Sequence, residues 1–152
     1  MKNAFVRPSM KQDCKYIAEH IRDTDRGECG LWEVHPEDSL NIGFAYSIQP
    51  LTVVGPSGNP AAMFGVCDVE RMEPTIWLLG TDEIVRFPTT FLRQSRLWVD
   101  HVCQPIRRYR AVGNWVDLRN EKHVGWLKWL GFERTRSSTH NGLEIGYFRK
   151  AI

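Results

Sequence analysis

No apolar run in this 152-residue chain approaches the roughly 20 residues that a membrane-spanning helix needs, so a helical membrane protein is excluded. Close-spaced cysteines are missing too. Cys14, Cys29, Cys67 and Cys103 lie far apart with no C-x-x-C pair, which argues against a zinc knuckle or a redox dithiol and leaves reduced thiols and no metal as the expectation. Net charge is scarce: 20 Lys and Arg against 18 Asp and Glu leave +2, too little for a nucleic-acid partner. The local basic cluster, Arg107-Arg108-Tyr109-Arg110, follows Pro105 between two apolar segments and reads as a solvated loop. The stretch Met1 to Pro8 lacks both the uninterrupted apolar core and the small-residue cleavage pattern of a signal peptide, so a cytoplasmic location is expected.

What is present is globular: 42% hydrophobic and 25% charged residues, with no repeat, low-complexity tract or linker. The length suits one domain over 1–152, large enough to bury roughly two-thirds of its unfolded surface.

Periodicity then orders the elements. Ala4 to Arg7 is a short strand, and Met10, Cys14, Ile17 and Ile21 recur at the spacing of one buried helix face, ending near Arg22. Thr24 to Gly30 is polar and contains glycine, hence a loop. Pro36-Glu37-Asp38 opens a second helix through about Tyr46. Leu51 to Gly55 and Ala61 to Val69 are strands around the turn residues Pro56 to Pro60, an antiparallel hairpin. Thr75 to Leu79 is almost wholly apolar, which predicts a central strand covered on both faces. A helix follows Pro88 with Phe91, Ser95, Trp98 and Val102 on its stripe, then a strand over Ala111 to Leu118. Asn120 caps a last helix that Gly131 ends. Strands over Phe132 to Arg136 and Leu143 to Phe148 close the chain through the turn His140-Asn141-Gly142.

The resulting order, β-α-α-β-β-β-α-β-α-β-β, resembles that of the GNAT acyltransferases, an α/β fold whose mixed, mostly antiparallel sheet is flanked by helices. Three strings carry the likeness: Val6-Arg7-Pro8 through Asp13 to Ile17, Ala62-Met63-Phe64-Gly65-Val66, and Asn120 through Trp126-Leu127 and Trp129 to Leu130-Gly131-Phe132. A narrower resemblance is to small GNAT-like proteins of podoviruses, including the phage internal virion protein family. It rests on Ile76 to Glu83, Thr89 to Arg93 and Asn114-Trp115-Val116-Asp117. It implies a protein partner from phage or host, and a place in the host cytoplasm or the virion.

The wider resemblance implies an acetyl-CoA site wedged between the fourth and fifth strands, which would place Trp77, Leu78, Thr89, Thr90 and Asn120 against the cofactor. In the family a glycine-rich loop holds the pyrophosphate on backbone N–H groups at a helix start. Here that stretch, Glu83 to Thr90, has no glycine; Thr89 and Thr90 offer donors but suit simple capping better. The family's general acid, a tyrosine seven residues after the asparagine, falls on Leu127, which cannot carry a proton. Asp117 and His123 are the substitute acid–base candidates, with Asp68 and Glu73 behind them. Each of the first pair also fits a structural role at a helix start, His123 as a surface residue. If Asn120 only caps, Asn120→Ala should cost about 1 kcal/mol and Asn120→Asp almost nothing. Two functions stand: a non-catalytic GNAT-like protein acting through a protein partner, and an acetyl-CoA-dependent N-acyltransferase with an altered phosphate loop. Losses confined to chemistry-bearing positions favour the first.

Overall fold

The computed structural model describes residues 3–152 apart from 69–72, 87 and 107–108, and only the backbone of 88–92. Strand β1 (Phe5–Pro8) leads into helices α1 (Lys11–Glu19), α2 (Asp23–Leu31) and α3 (Pro36–Tyr46). The hairpin β2 (Leu51–Val54) and β3 (Pro60–Cys67) precedes β4 (Thr75–Gly80), a 3-10 turn over Asp82–Arg86, and α4 (Pro88–Cys103). Then come β5 (Ala111–Asp117), α5 (Glu121–Trp129), β6 (Glu133–His140) and β7 (Leu143–Ala151). The seven strands form one sheet in the order β1-β2-β3-β4-β5-β7-β6, antiparallel throughout except for β4 beside β5. Val69 of the expected third strand and the Arg107-Arg108 pair lie outside the described residues.

Strand β4 is central, as its apolar run requires. Its side chains alternate between two layers. Ile76 and Leu78 pack with Val99 and Val102 of α4 and Leu127 of α5. Trp77 and Leu79 pack with Cys14 and Ile17 of α1 and Leu40 of α3. The four cysteines are free thiols.

Two expectations are corrected. The first helix ends at Glu19, and Thr24 to Gly30, expected as a loop, is most of helix α2. Polarity misled because the polar face of α2 points inward: Asp25 and Glu28, one turn apart, are both buried beside Cys29 and Leu31. The Arg22 guanidinium donates to Asp25 at 2.7 Å, so the charge that suggested solvent is paired in the interior.

Local signals hold elsewhere. Pro36 opens α3 behind His35, whose ring accepts from the Glu37 N–H. Asn141 and Gly142, with φ of 49° and 76°, make the two-residue turn between β6 and β7. At the exit of α5, Gly131 has φ of 95°, and the Phe132 N–H donates to the Leu127 carbonyl at 2.9 Å. A Cβ on Gly131 would meet only the Lys150 side chain at 3.7 Å, so Gly131→Ala pays for conformation alone. The expected loss is about 1 kcal/mol, read from a urea midpoint.

Asp13 ties β1, α1 and β2 together. Its carboxylate accepts two bonds from Arg7 at 2.8 and 2.9 Å, one from the Met10 N–H and one from the Thr52 hydroxyl. Burial pushes this carboxyl up, but those donors outweigh it and hold it below the usual carboxylate range. A depressed carboxyl adds stability above about pH 4, the value of a free aspartate, and loses it as pH falls through the folded value. The urea midpoint should therefore drop below pH 4, and Asp13→Asn should shrink that drop while lowering the midpoint at pH 7.

Candidate functional site: the split between strands β4 and β5

Parallel strands β4 and β5 share a single register pair, Thr75 with Gly113, at the start of β4. Beyond it they diverge. A cleft of about 230 Å³ opens there, walled by Trp77, Trp115, Trp32 and Ile42, with Asn114, Glu28 and His123 also lining it. Gly43 sets one wall: a Cβ there would lie 2.5 Å from the Trp77 ring, so only glycine lets α3 press on that indole. The Trp77 Nε1–H donates to Ser47 Oγ at 2.7 Å and fixes the ring.

At their C-terminal ends the two strands are joined through α2. The Arg22 N–H donates to the Gly80 carbonyl at 3.0 Å, and the Gly80 N–H donates to Asp25 Oδ2 at 2.9 Å. On the other side the Asp117 N–H donates to Glu28 Oε1 at 3.1 Å. Asn120 closes the arrangement. Its Nδ2 donates to Asp25 Oδ1 at 3.0 Å and to Glu28 Oε2 at 2.8 Å, while its Oδ1 accepts the His123 N–H at 3.2 Å and caps α5. His123 Nδ1 lies 3.4 Å from Glu28 Oε2, and with a carboxylate as acceptor the proton is assigned to Nδ1.

The charges nearly cancel. Asp25 pairs with Arg22, and Asp117 pairs with Arg119 at 2.7 Å. Burial pushes the Asp117 carboxyl up, but the Arg119 guanidinium and N–H overcome it and hold it low. Among the described ion pairs, Glu28 has only His123.

The split thus gathers Trp77, Asp117, Asn120 and His123 from the sequence-predicted set. Leu78 lies on β4 with a backbone lining the cleft and a side chain in the opposite core layer. Thr89 and Thr90 stand in the first turn of α4, and their side chains lie outside the described residues. His123 is buried at 4% exposure, correcting its reading as a surface residue. Asp68 and Glu73 sit at the opposite end of β4, where they accept from Tyr109 and from Tyr147 and Arg149. Sequence reasoning missed Arg22, Asp25 and Glu28. Their three-residue spacing was a helix-face signal in a stretch set aside for its polarity.

The resemblance assigns the pyrophosphate to the stretch after β4 and the general acid to position 127. In the turn after β4 three N–H groups already have partners: Thr81 donates to the Ala61 carbonyl, Glu83 to the Thr81 hydroxyl and Ile84 to the Thr81 carbonyl. Asp82 and Glu83 add negative charge there. Leu127 is fully buried in the core between α5 and the sheet.

No family model matches the chain, and no curated protein matches it. Solved structures do. AAC(6')-Ib, in complex with ribostamycin and coenzyme A, superposes with a TM-score of 0.68 at 13% identity, covering 99% of this chain and 94% of its own. A GNAT-family acetyltransferase from Streptococcus pneumoniae gives 0.66 at 15% identity, with 99% of each chain covered. The fold is that of the GNAT acetyltransferases. Spermidine N-acetyltransferase from Vibrio cholerae, in complex with CoA and spermine, gives 0.66 at 14%, covering 98% and 95%. The GNAT fold was expected with two helices between β1 and β2; this chain has three. Among the described residues no helix is long and apolar enough to cross a membrane, and no His, Cys, Asp or Glu cluster could hold a metal ion.

Proposed function

We propose that this chain is a GNAT-fold protein without transferase activity that works by binding another protein. The observation that carries the reading is the way α2 ties the two strands: Gly80 and Asp117, which end β4 and β5, spend their edge groups on Arg22, Asp25 and Glu28. A cofactor wedged between the strands would find those edge groups already bonded. The turn after β4 is a poor fit for its pyrophosphate as well, because it lacks glycine, has the Thr81, Glu83 and Ile84 N–H groups already bonded, and sets two carboxylates beside Arg86. The podoviral resemblance supports a partner from phage or host and a role in virion assembly, within the host cytoplasm or the particle.

The alternative is an acetyl-CoA-dependent N-acyltransferase. It is favoured by fold neighbours solved with coenzyme A, and it requires a cofactor held without the edge groups of Gly80 and Asp117. Calorimetric and thermal-shift titration with acetyl-CoA separates the two. The expected result is no saturable heat and no rise in melting temperature. Hydrogen bonds to a charged group contribute roughly 1.5–3 kcal/mol each, so losing two weakens binding by about a hundredfold or more. Micromolar binding would overturn the proposal.

A further inference from the structure

The cleft has a charge left over. Around it Asp25 is neutralised by Arg22 and Asp117 by Arg119, whereas among the described residues Glu28, at 8% exposure, has only His123 as an ion-pair partner. A carboxylate removed from water without a cation is costly unless something positive can approach it. Its lone pairs are also incompletely used. Oε2 accepts from Asn120 and His123, but among the described residues Oε1 accepts only the Asp117 N–H, which leaves one acceptor position.

The walls suit a flat cation with an apolar stem. Trp32, Trp77 and Trp115 line the cleft, and indole is the strongest aromatic partner for a cation. The chain itself already sets guanidinium groups over indoles twice: Arg96 lies 4.1 Å from the Trp129 ring centroid and Arg136 lies 5.4 Å from that of Trp115. At the mouth, Ile42 is 53% exposed, and Tyr46, one turn along α3, is 68% exposed. They give apolar contact to whatever carries the cation.

We propose that the cleft is an anchor pocket for an arginine side chain presented by a polypeptide partner. The proposal rests on the protein-binding reading above and names the chemistry of that partner. Guanidinium fits better than ammonium because it is more weakly hydrated, stacks flat on indole and spreads its N–H donors in a plane. About 230 Å³ holds the group and part of its stem. The side chain is held there, not acylated. Two cations oppose it, Arg119 near Glu28 and Arg136 over Trp115; both are exposed, and Arg119 already has a carboxylate.

The test is a heteronuclear NMR titration of the full chain with Nα-acetyl-arginine amide and with its neutral citrulline counterpart. The arginine compound should shift the indole N–H signals of Trp32, Trp77 and Trp115 saturably, and the citrulline compound should bind at least about tenfold more weakly. Glu28→Gln, nearly the same shape, should weaken arginine binding about fivefold or more. Trp32→Ala, at the rim, should do the same without touching the buried carboxylates. Arg136→Gln should tighten it. Equal binding of citrulline, or an unchanged affinity in both Glu28→Gln and Trp32→Ala, overturns the anchor pocket. An acetyl-CoA titration on the same samples is read separately. Saturable acetyl-CoA binding overturns the non-catalytic reading, whereas failure of the arginine arm with acetyl-CoA inert overturns the pocket alone.

Discussion

Asn120→Asp should be more damaging than Asn120→Ala, by on the order of 4 kcal/mol against about 2–4 kcal/mol. From capping alone the order would be reversed, since aspartate caps a helix about as well as asparagine. The structure overrides that expectation because Asn120 is a donor as well as an acceptor: its Nδ2 lies 3.0 Å from Asp25 and 2.8 Å from Glu28. Alanine leaves two buried carboxylates short of a donor. Aspartate brings a third carboxylate against them, and like charges at that distance cannot all stay ionised. Urea midpoints of both variants at pH 7 test the ranking. A second reading comes from acid: the Asn120→Asp deficit should narrow as pH falls, because protonating the added carboxyl removes the repulsion. A neutral Asn120→Asp at pH 7 would refute the network.

A thiol-release assay over a panel of amines, at the highest practical acetyl-CoA, should give no turnover above background. A positioned general acid contributes about 10²–10⁴-fold, and Leu127 supplies none. Installing one by Leu127→Tyr should not help. Leu127 is fully buried among Val102, Val116 and Phe132, so the extra volume strains the core and lowers stability by about 1–3 kcal/mol instead. Clear turnover by the parent chain, or activity gained by Leu127→Tyr, would return the protein to the transferases.

The sheet, the hairpin, α3, α4, the Asn120 cap and the Gly131 exit were legible because each is written in local chemistry: alternation, a proline at a helix start, or a glycine where φ is positive. The splitting of β4 from β5 was implied only by resemblance. What ties the strands there was not legible. Arg22, Asp25 and Glu28 sit in a segment whose polarity belongs, by ordinary statistics, to solvent, and their partners lie far along the chain. Periodicity reports which face is apolar, not which face is buried, and in α2 the buried face is partly charged. His123 was misplaced for the same reason: its burial follows from Glu28, and nothing adjacent in sequence announces it.

The tie that α2 makes between β4 and β5 has a consequence for how the chain assembles. The bond from Gly80 to Asp25 spans 55 residues, that from Asp117 to Glu28 spans 89, and that from Asn120 to Asp25 spans 95. A nine-residue helix containing Gly27 and Gly30 has little tendency to form alone. Its stability is borrowed from strands synthesised long after it. On a nascent chain the bonds of Asp25 and Glu28 to Asp117 and Asn120 cannot form until β5 and the start of α5 have left the ribosome. Contacts of such range form more slowly than local ones, so the joining of β4 to β5 through α2 belongs to the slow part of folding.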